Sequence, residues 1–216
     1  MSKTIGIISL KGGVGKTSTV VSLGATLAKK GYRVLLIDGN FSAPNLGIHL
    51  NLIEPDLTLT HVLNRQASIK KAIQKIENNE NLDILPSSLF TELKRNPLEL
   101  RNRIKNIKKN YDIILIDSSP ALNNETLGTM IASDEILVVS TPDYSTLGTT
   151  IKSIKIAKKR NTPISGIILN KVYNKNFEIP LDEIERSSEV PVMAVIPHDI
   201  QVQKSQSEFI PPTDYK

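Results

Sequence analysis

Between a short apolar run, Thr4-Ile5-Gly6-Ile7-Ile8, and a stretch with helical spacing from Val20 to Lys30 lies the segment Ser9-Leu10-Lys11-Gly12-Gly13-Val14-Gly15-Lys16-Thr17-Ser18. A strand, a glycine-rich loop ending in Lys-Thr, and then a helix is the context that a phosphate-binding loop requires. Three glycines within four positions allow the backbone to curl until successive N–H groups point at one anion. The start of the following helix adds partial positive charge at the same place. In such a loop Lys16 reaches the β- and γ-phosphates, and the Thr17 hydroxyl is a ligand for Mg²⁺.

The rest of the chain reads as strands alternating with helices. Apolar runs over residues 33–38 and 111–117 each end in an acid, Asp38 and Asp117. Runs without polar alternation are buried on both faces, which indicates a parallel sheet. Further strands are expected over residues 82–86, 135–140, 164–170 and 192–196. Helices are expected over 18–30, 58–63, 69–76, 97–109, 123–132, 146–160 and 180–188. The expected fold is α/β, a mostly parallel twisted sheet with helices on both faces. In such sheets ligands bind beyond the carboxyl ends of the strands, where these acids and loops fall.

Composition narrows the chemistry. The 216 residues suit one domain, residues 1–216, and contain no cysteine, which excludes disulfides, thiolate metal sites and cysteine nucleophiles. No apolar run is long enough to span a bilayer. The first strand begins almost at once, leaving no room for a signal peptide, so the expected location is cytoplasmic. A net charge of +5 is compatible with an anionic partner. With no Trp and few aromatics, base stacking is not the expected mode of nucleic-acid binding.

The loop departs from the general pattern G-x-x-x-x-G-K-[ST]: position 10 is Leu, and a second lysine, Lys11, opens the motif. The form Lys11-Gly12-Gly13-Val14-Gly15-Lys16-Thr17 resembles the deviant Walker A motif of the MinD/ParA ATPases. The resemblance extends from Lys3 to about Asp199. It implies a P-loop NTPase fold of the deviant Walker A (SIMIBI) type, with ATP and Mg²⁺ as cofactors and residues 11–18 as the nucleotide cradle. It further implies ATP hydrolysis in an ATP-dependent homodimer, where Lys11 crosses to the partner's nucleotide and Gly12 and Gly13 lie at the seam. Such proteins position or segregate a cargo, a division site or DNA, and answer to an activating or cargo protein.

The same resemblance assigns the other site residues. Asp117 matches a Walker B acid that holds the metal opposite Thr17. Asp38 matches the first acid of a D-x-D element that orders the metal shell and the attacking water, so Lys11, Lys16 and Asp38 are the expected catalytic groups. The second acid of that element is here Asn40, which can position a water but cannot take its proton, so hydrolysis is expected to be slow, with Asp38 as the principal acid. Asn170 matches the position that reads the adenine edge, although Asn after a strand is also ordinary turn chemistry. Pro197-His198-Asp199 matches the loop that covers the base. Residues 40–47 are the switch-like loop, and residues 143–150 lie at the dimer face. His49 and His61 read as structural.

Two faces are basic. Lys152, Lys155 and Lys159 share one side of a helix with Lys158 and Arg160 nearby, and Arg101, Arg103, Lys105, Lys108 and Lys109 form a second cluster. Each reads either as a solvated helix face or as a nonspecific DNA contact of the ParA kind. MinD proteins dock on membrane through a C-terminal amphipathic helix. Residues 209–216 contain Pro211 and Pro212 and cannot form one, so membrane docking and a C-terminal helix are not expected. Two other function classes share these motifs. A nucleotide-dependent binding switch with little turnover fits Asn40. A bacterial-type tyrosine kinase needs a cluster of C-terminal tyrosines, and only Tyr215 is there.

Overall fold

The computed structural model describes residues 2–53, 55–77, 79–208 and 212. Eight strands form one sheet in the order β3-β4-β2-β5-β1-β6-β7-β8. In chain order they are β1 (Lys3–Ile8), β2 (Val34–Gly39), β3 (Gln74–Ile76), β4 (Asn79–Leu85), β5 (Ile113–Ser118), β6 (Glu135–Ser140), β7 (Ile164–Val172) and β8 (Val192–Pro197). All pairings are parallel except that of β3 with β4. The helices are α1 (Lys16–Lys29), α2 (Leu59–Leu63), α3 (Ile69–Ala72), α4 (Leu100–Ile104), α5 (Asn124–Ala132), α6 (Tyr144–Lys159), α7 (Leu181–Ser188) and α8 (Ile200–Ser207).

Both faces of the central strands are covered, as their unbroken apolar runs require. Val34 and Leu36 of β2 pack with Val20, Val21, Ala25 and Ala28 of α1. The alternate residues Leu35 and Ile37 face the other way, onto Leu59, Val62 and Leu63 of α2 and Leu100 and Ile104 of α4. On the same side as that second cluster, Ile136, Val138, Ile167 and Leu169 pack with Leu147, Ile154 and Ala157 of α6 and Ile184 of α7. The register places Asp38 directly opposite Asp117 at the carboxyl ends of β2 and β5. The two expected acids are thereby neighbours, beside the end of β1, from which the glycine-rich loop springs.

Two expected helices are altered. Residues 69–76 are helical only as far as Ala72; Gln74–Ile76 turns back as an antiparallel edge strand, pairing Gln74 with Ile84 and Lys75 with Asp83. The unpaired backbone edge of β4 outweighs the helical period of this short segment. Residues 97–109 are not one helix. α4 ends at Ile104, and Ile107 donates its N–H to Ile104 O, three residues back. Leu100, Ile104 and Ile107 nevertheless stay buried as the spacing implied. α8 follows the last strand and was not apparent in the sequence, since its apolar positions keep no helical period. The segment 209–216, on which the expectation about membrane docking rests, lies outside the described residues apart from Pro212. Among the described residues no helix is long and apolar enough to cross a membrane.

Candidate functional site

The loop after β1 turns into α1 through Gly15, whose φ of 89° lies in the left-handed region. A side chain there would be strained, and a Cβ would stand 2.1 Å from Asn170 Nδ2. Asn170, near the end of β7, donates that amide to Val14 O at 2.8 Å, and Lys171 Nζ donates to Gly13 O at 2.7 Å. β7 therefore clamps the loop from the side. At Gly12 and Gly13 a Cβ would meet nothing within 4 Å, so this part of the loop faces open space.

Residues 11–18, Asn170 and residues 197–199 line one cavity of about 390 Å³. The residues expected to hold a nucleotide are thus brought together from the two ends of the chain. The same cavity is lined by Asn40, Ala43, Asn45, His49, Pro120, Lys171, Ile196, Val202 and Gln203. Sequence reading missed most of these. Val202 and Gln203 lie on the unexpected α8, and His49, read as structural, faces the cavity. His61 does have the structural role: its Nδ1 accepts from Thr58 N at the start of α2, and Nε2 pairs with Thr91 Oγ1. The His198 ring stacks on Tyr173, with centroids 4.5 Å apart and planes inclined by 25°. This holds the 197–199 loop against the end of β7.

Behind the loop lies a buried charge cluster. Lys16 Nζ donates to Asp117 Oδ1 at 2.6 Å, and Thr17 Oγ1 donates to Asp117 Oδ2 at 2.6 Å. Asp38 is fully buried and does not line the cavity. Its Oδ1 accepts from Asn40 N, and its Oδ2 accepts from Asn45 N and Leu46 N. The carboxylate thus fastens the loop after β2 rather than projecting into the cavity. Burial, and next the nearby Asp117, push the Asp38 carboxyl up to about 7, against the backbone N–H groups of Asn40 and Leu46 and the Lys16 charge. Asn40 donates Nδ2 to Ala43 O at 2.5 Å, while its Oδ1 is buried with no hydrogen-bond partner. Ser42 of the same loop donates to Glu125 Oε1 of α5.

Lys11 is engaged within its own chain. Its Nζ lies 2.5 Å from Ser145 Oγ, 2.9 Å from Thr146 Oγ1 and 3.4 Å from Asp143 Oδ1. These three residues form the start of α6, where Asp143 is the N-cap and accepts from Thr146 N. Burial works against the charged Asp143 carboxylate, but the hydroxyls of Ser145, Thr141 and Thr146 and the Thr146 amide hold it well below the usual carboxylate range.

These residues fit a nucleoside triphosphate with a divalent cation. Residues 11–18 line one side of the cavity, where Lys11, Lys16 and Lys171 bring positive charge beside the start of α1. Among the described residues no cluster of three or more His, Asp or Glu side chains forms a ready-made metal cage. The donor set is instead one hydroxyl, Thr17, with Asp117 behind it. That set suits Mg²⁺, which takes most of its ligands from phosphates and water.

Comparison with known proteins agrees with this geometry. A family model described as an AAA domain matches residues 2–165. An uncharacterized ATP-binding protein of Methanocaldococcus jannaschii is 33% identical over 98% of this chain and 81% of its own length. The cell division ATPase MinD of Pyrococcus furiosus superposes with a TM-score of 0.94 at 35% identity, over 100% of this chain and 92% of that one. The septum site-determining protein MinD of Pyrococcus horikoshii, solved with Mg-ADP, gives 0.94 at 34% identity, over 100% and 89%.

Proposed function

Because the chain belongs to the MinD/ParA family of deviant Walker A ATPases, we propose that it binds ATP with Mg²⁺ in the cavity at the glycine-rich loop and hydrolyses it slowly as a dimer closed around the nucleotides. The observation that carries the reading is the convergence of Lys16 and Thr17 on the two oxygens of Asp117, directly behind the loop. Lys16 meets the β- and γ-phosphate oxygens, Thr17 and Asp117 hold the cation that neutralises them, and the backbone N–H groups of residues 12–17 receive the remaining charge. Mg-ADP bound to the Pyrococcus horikoshii relative supports this assignment. Asn170 and residues 197–199 hold the base end.

Asp38 acts by holding the loop after β2, and with it Asn40, at the γ-phosphate end. Asn40 in place of a carboxylate favours slow turnover, as in a molecule that works as a timed switch. Lys11, held by α6 in this state, is the charge supplied to the partner's nucleotide when two copies meet. An arginine in such a position contributes roughly 10³–10⁵ in rate, and lysine, without the planar fork, contributes less. Dimer formation in turn presents a surface to a cargo or activating protein, and the resulting cycle positions that cargo. The test is size-exclusion chromatography with ATP, ADP and a nonhydrolysable analogue, alongside steady-state phosphate release. Lys11→Ala should bind nucleotide like the parent and lose dimer-dependent hydrolysis. A variant that hydrolyses normally as a monomer sinks the shared-site reading.

A further inference from the structure

Hydrolysis of a phosphoanhydride needs an acceptor that orients the attacking water, and in this site the obvious acceptors are already engaged. Both oxygens of Asp117 take hydrogen bonds from Lys16 and Thr17, and both oxygens of Asp38 take backbone N–H groups of Asn40, Asn45 and Leu46. Asp199, at the base end, caps the start of α8 through Gln201 N. Asn40 lines the cavity, but its Oδ1 is shut off from the open space and has no partner. The acceptors that line the cavity without a partner include the Asn170 amide oxygen and the His198 ring at the base end and, on the loop after β2, Asn45 Oδ1 and the imidazole of His49.

His49 lies in the short 3₁₀ turn Ile48–Leu50 and lines the cavity. Its ring is half-buried, and among the described residues neither ring nitrogen makes a hydrogen bond, in contrast to His61, whose ring nitrogens are engaged by Thr58 and Thr91. The Asp38 carboxylate fixes its position: by gripping Asn45 N and Leu46 N it anchors the chain three to four residues before His49. Burial draws the imidazole toward its neutral form, which carries one acceptor nitrogen, while the charge of Asp117 acts weakly in the opposite sense.

We infer that His49 holds the attacking water at the γ-phosphate, and so supplies the acceptor that Asn40, whose Oδ1 is closed off from the cavity, does not. The inference rests on the nucleotide reading of the cavity. The water oxygen forms a bond to the γ-phosphorus as the bond from that phosphorus to the bridging oxygen breaks. The electron pair leaves on ADP, the water proton leaves on inorganic phosphate, and His49 ends unchanged, having only accepted a hydrogen bond. Phosphoryl transfer depends on positioning and charge more than on a strong base, so an uncharged acceptor is sufficient.

The experiment uses the full chain with fluorescently labelled ADP, Mg²⁺ and aluminium fluoride, a mimic of the transferring phosphoryl group with its in-line water. In the parent protein aluminium fluoride should slow ADP release. His49→Leu should bind ADP within about twofold of the parent but lose most of that slowing, about tenfold or more, together with a similar fall in single-turnover ATP hydrolysis. His49→Gln, which restores an acceptor at nearly the same reach, should recover a substantial part of both. A His49→Leu protein that keeps the full aluminium fluoride effect overturns the inference. So does one that loses ADP affinity in the same proportion, because His49 is then only a wall of the cavity. A parent protein that binds ADP but gains nothing from aluminium fluoride overturns it as well. A parent protein that binds neither ATP nor ADP refutes the nucleotide reading itself, which separates the two failures.

Discussion

Lys16 Nζ and Asp117 Oδ1 stand 2.6 Å apart with 7% and 1% of their side chains exposed, an ion pair sealed behind the glycine-rich loop. Neither charge has a solvent shell to fall back on. Replacing one partner leaves the other buried and uncompensated, which typically costs about 3–5 kcal/mol. Asp117→Asn should therefore lower stability toward urea by about 3 kcal/mol without nucleotide, slightly offset by relief of repulsion on Asp38. An unchanged urea midpoint would show that the pair contributes nothing to the fold.

Asp38 gives the protein a pH dependence of defined sign. Its folded-state carboxyl lies at about 7, above its unfolded value, so the native state binds more protons than the unfolded chain between about pH 4 and pH 7. The contribution of this group to stability is therefore largest near pH 4 and declines as the pH rises through 7, by on the order of 4 kcal/mol at most. Asp112 and Asp143, held below the usual range, act in the opposite sense but only below about pH 4. Urea unfolding at pH 5 and pH 8 should show this loss in the parent and not in Asp38→Asn. Equal slopes in both proteins would contradict it.

The two ends of the glycine run should respond differently to a methyl group. Gly15→Ala forces a left-handed conformation, at about 1–2 kcal/mol, and drives a Cβ into the Asn170 amide. Nucleotide affinity measured by calorimetry should fall about tenfold or more. Gly12→Ala meets nothing within 4 Å and should fold and bind nucleotide normally. Its defect should emerge only in dimer formation, because the added methyl group lies at the proposed seam. Normal ATP-dependent dimers of Gly12→Ala would move the seam elsewhere.

The exposed row Lys152, Lys155, Lys159 and Arg160 on and just after α6 can be tested as a DNA contact by its salt dependence. If all four neutralise phosphates, the slope of log affinity against log salt should be near −3.6, about −0.9 for each. Lys155→Glu should flatten it. A slope near zero leaves these side chains as the solvated face of an amphipathic helix.

Much of this molecule was legible one residue at a time. The order of strand, loop and helix around Lys16 followed from glycine spacing and apolar runs, because a phosphate cradle and a doubly buried strand both need local sequence of a narrow kind. The burial of Leu100, Ile104 and Ile107 was foreseeable on those grounds, but not the direct hydrogen bond from Thr17 to Asp117. Gln74–Ile76 was not, because its conformation is set by the free backbone edge of β4 rather than by its own side chains. Nor was α8, which nonetheless contributes Val202 and Gln203 to the cavity.

The roles of three polar residues were decided only by the fold. Asp38 ends a strand just as Asp117 does, and nothing local distinguishes a carboxylate that grips a loop from one that pairs with the lysine and threonine of the glycine-rich loop. That difference arises because the loop after β2 folds back and presents three N–H groups to Asp38, while α1 presents Lys16 and Thr17 to Asp117. His49 looked like packing until the same loop placed its ring on the cavity. The sequence by itself determined the strand, glycine-rich loop and helix around Lys16, because such a loop is made from neighbours in the chain. The tertiary structure decided which acceptors remain free beside it, because hydrogen-bond partners come from wherever the chain returns.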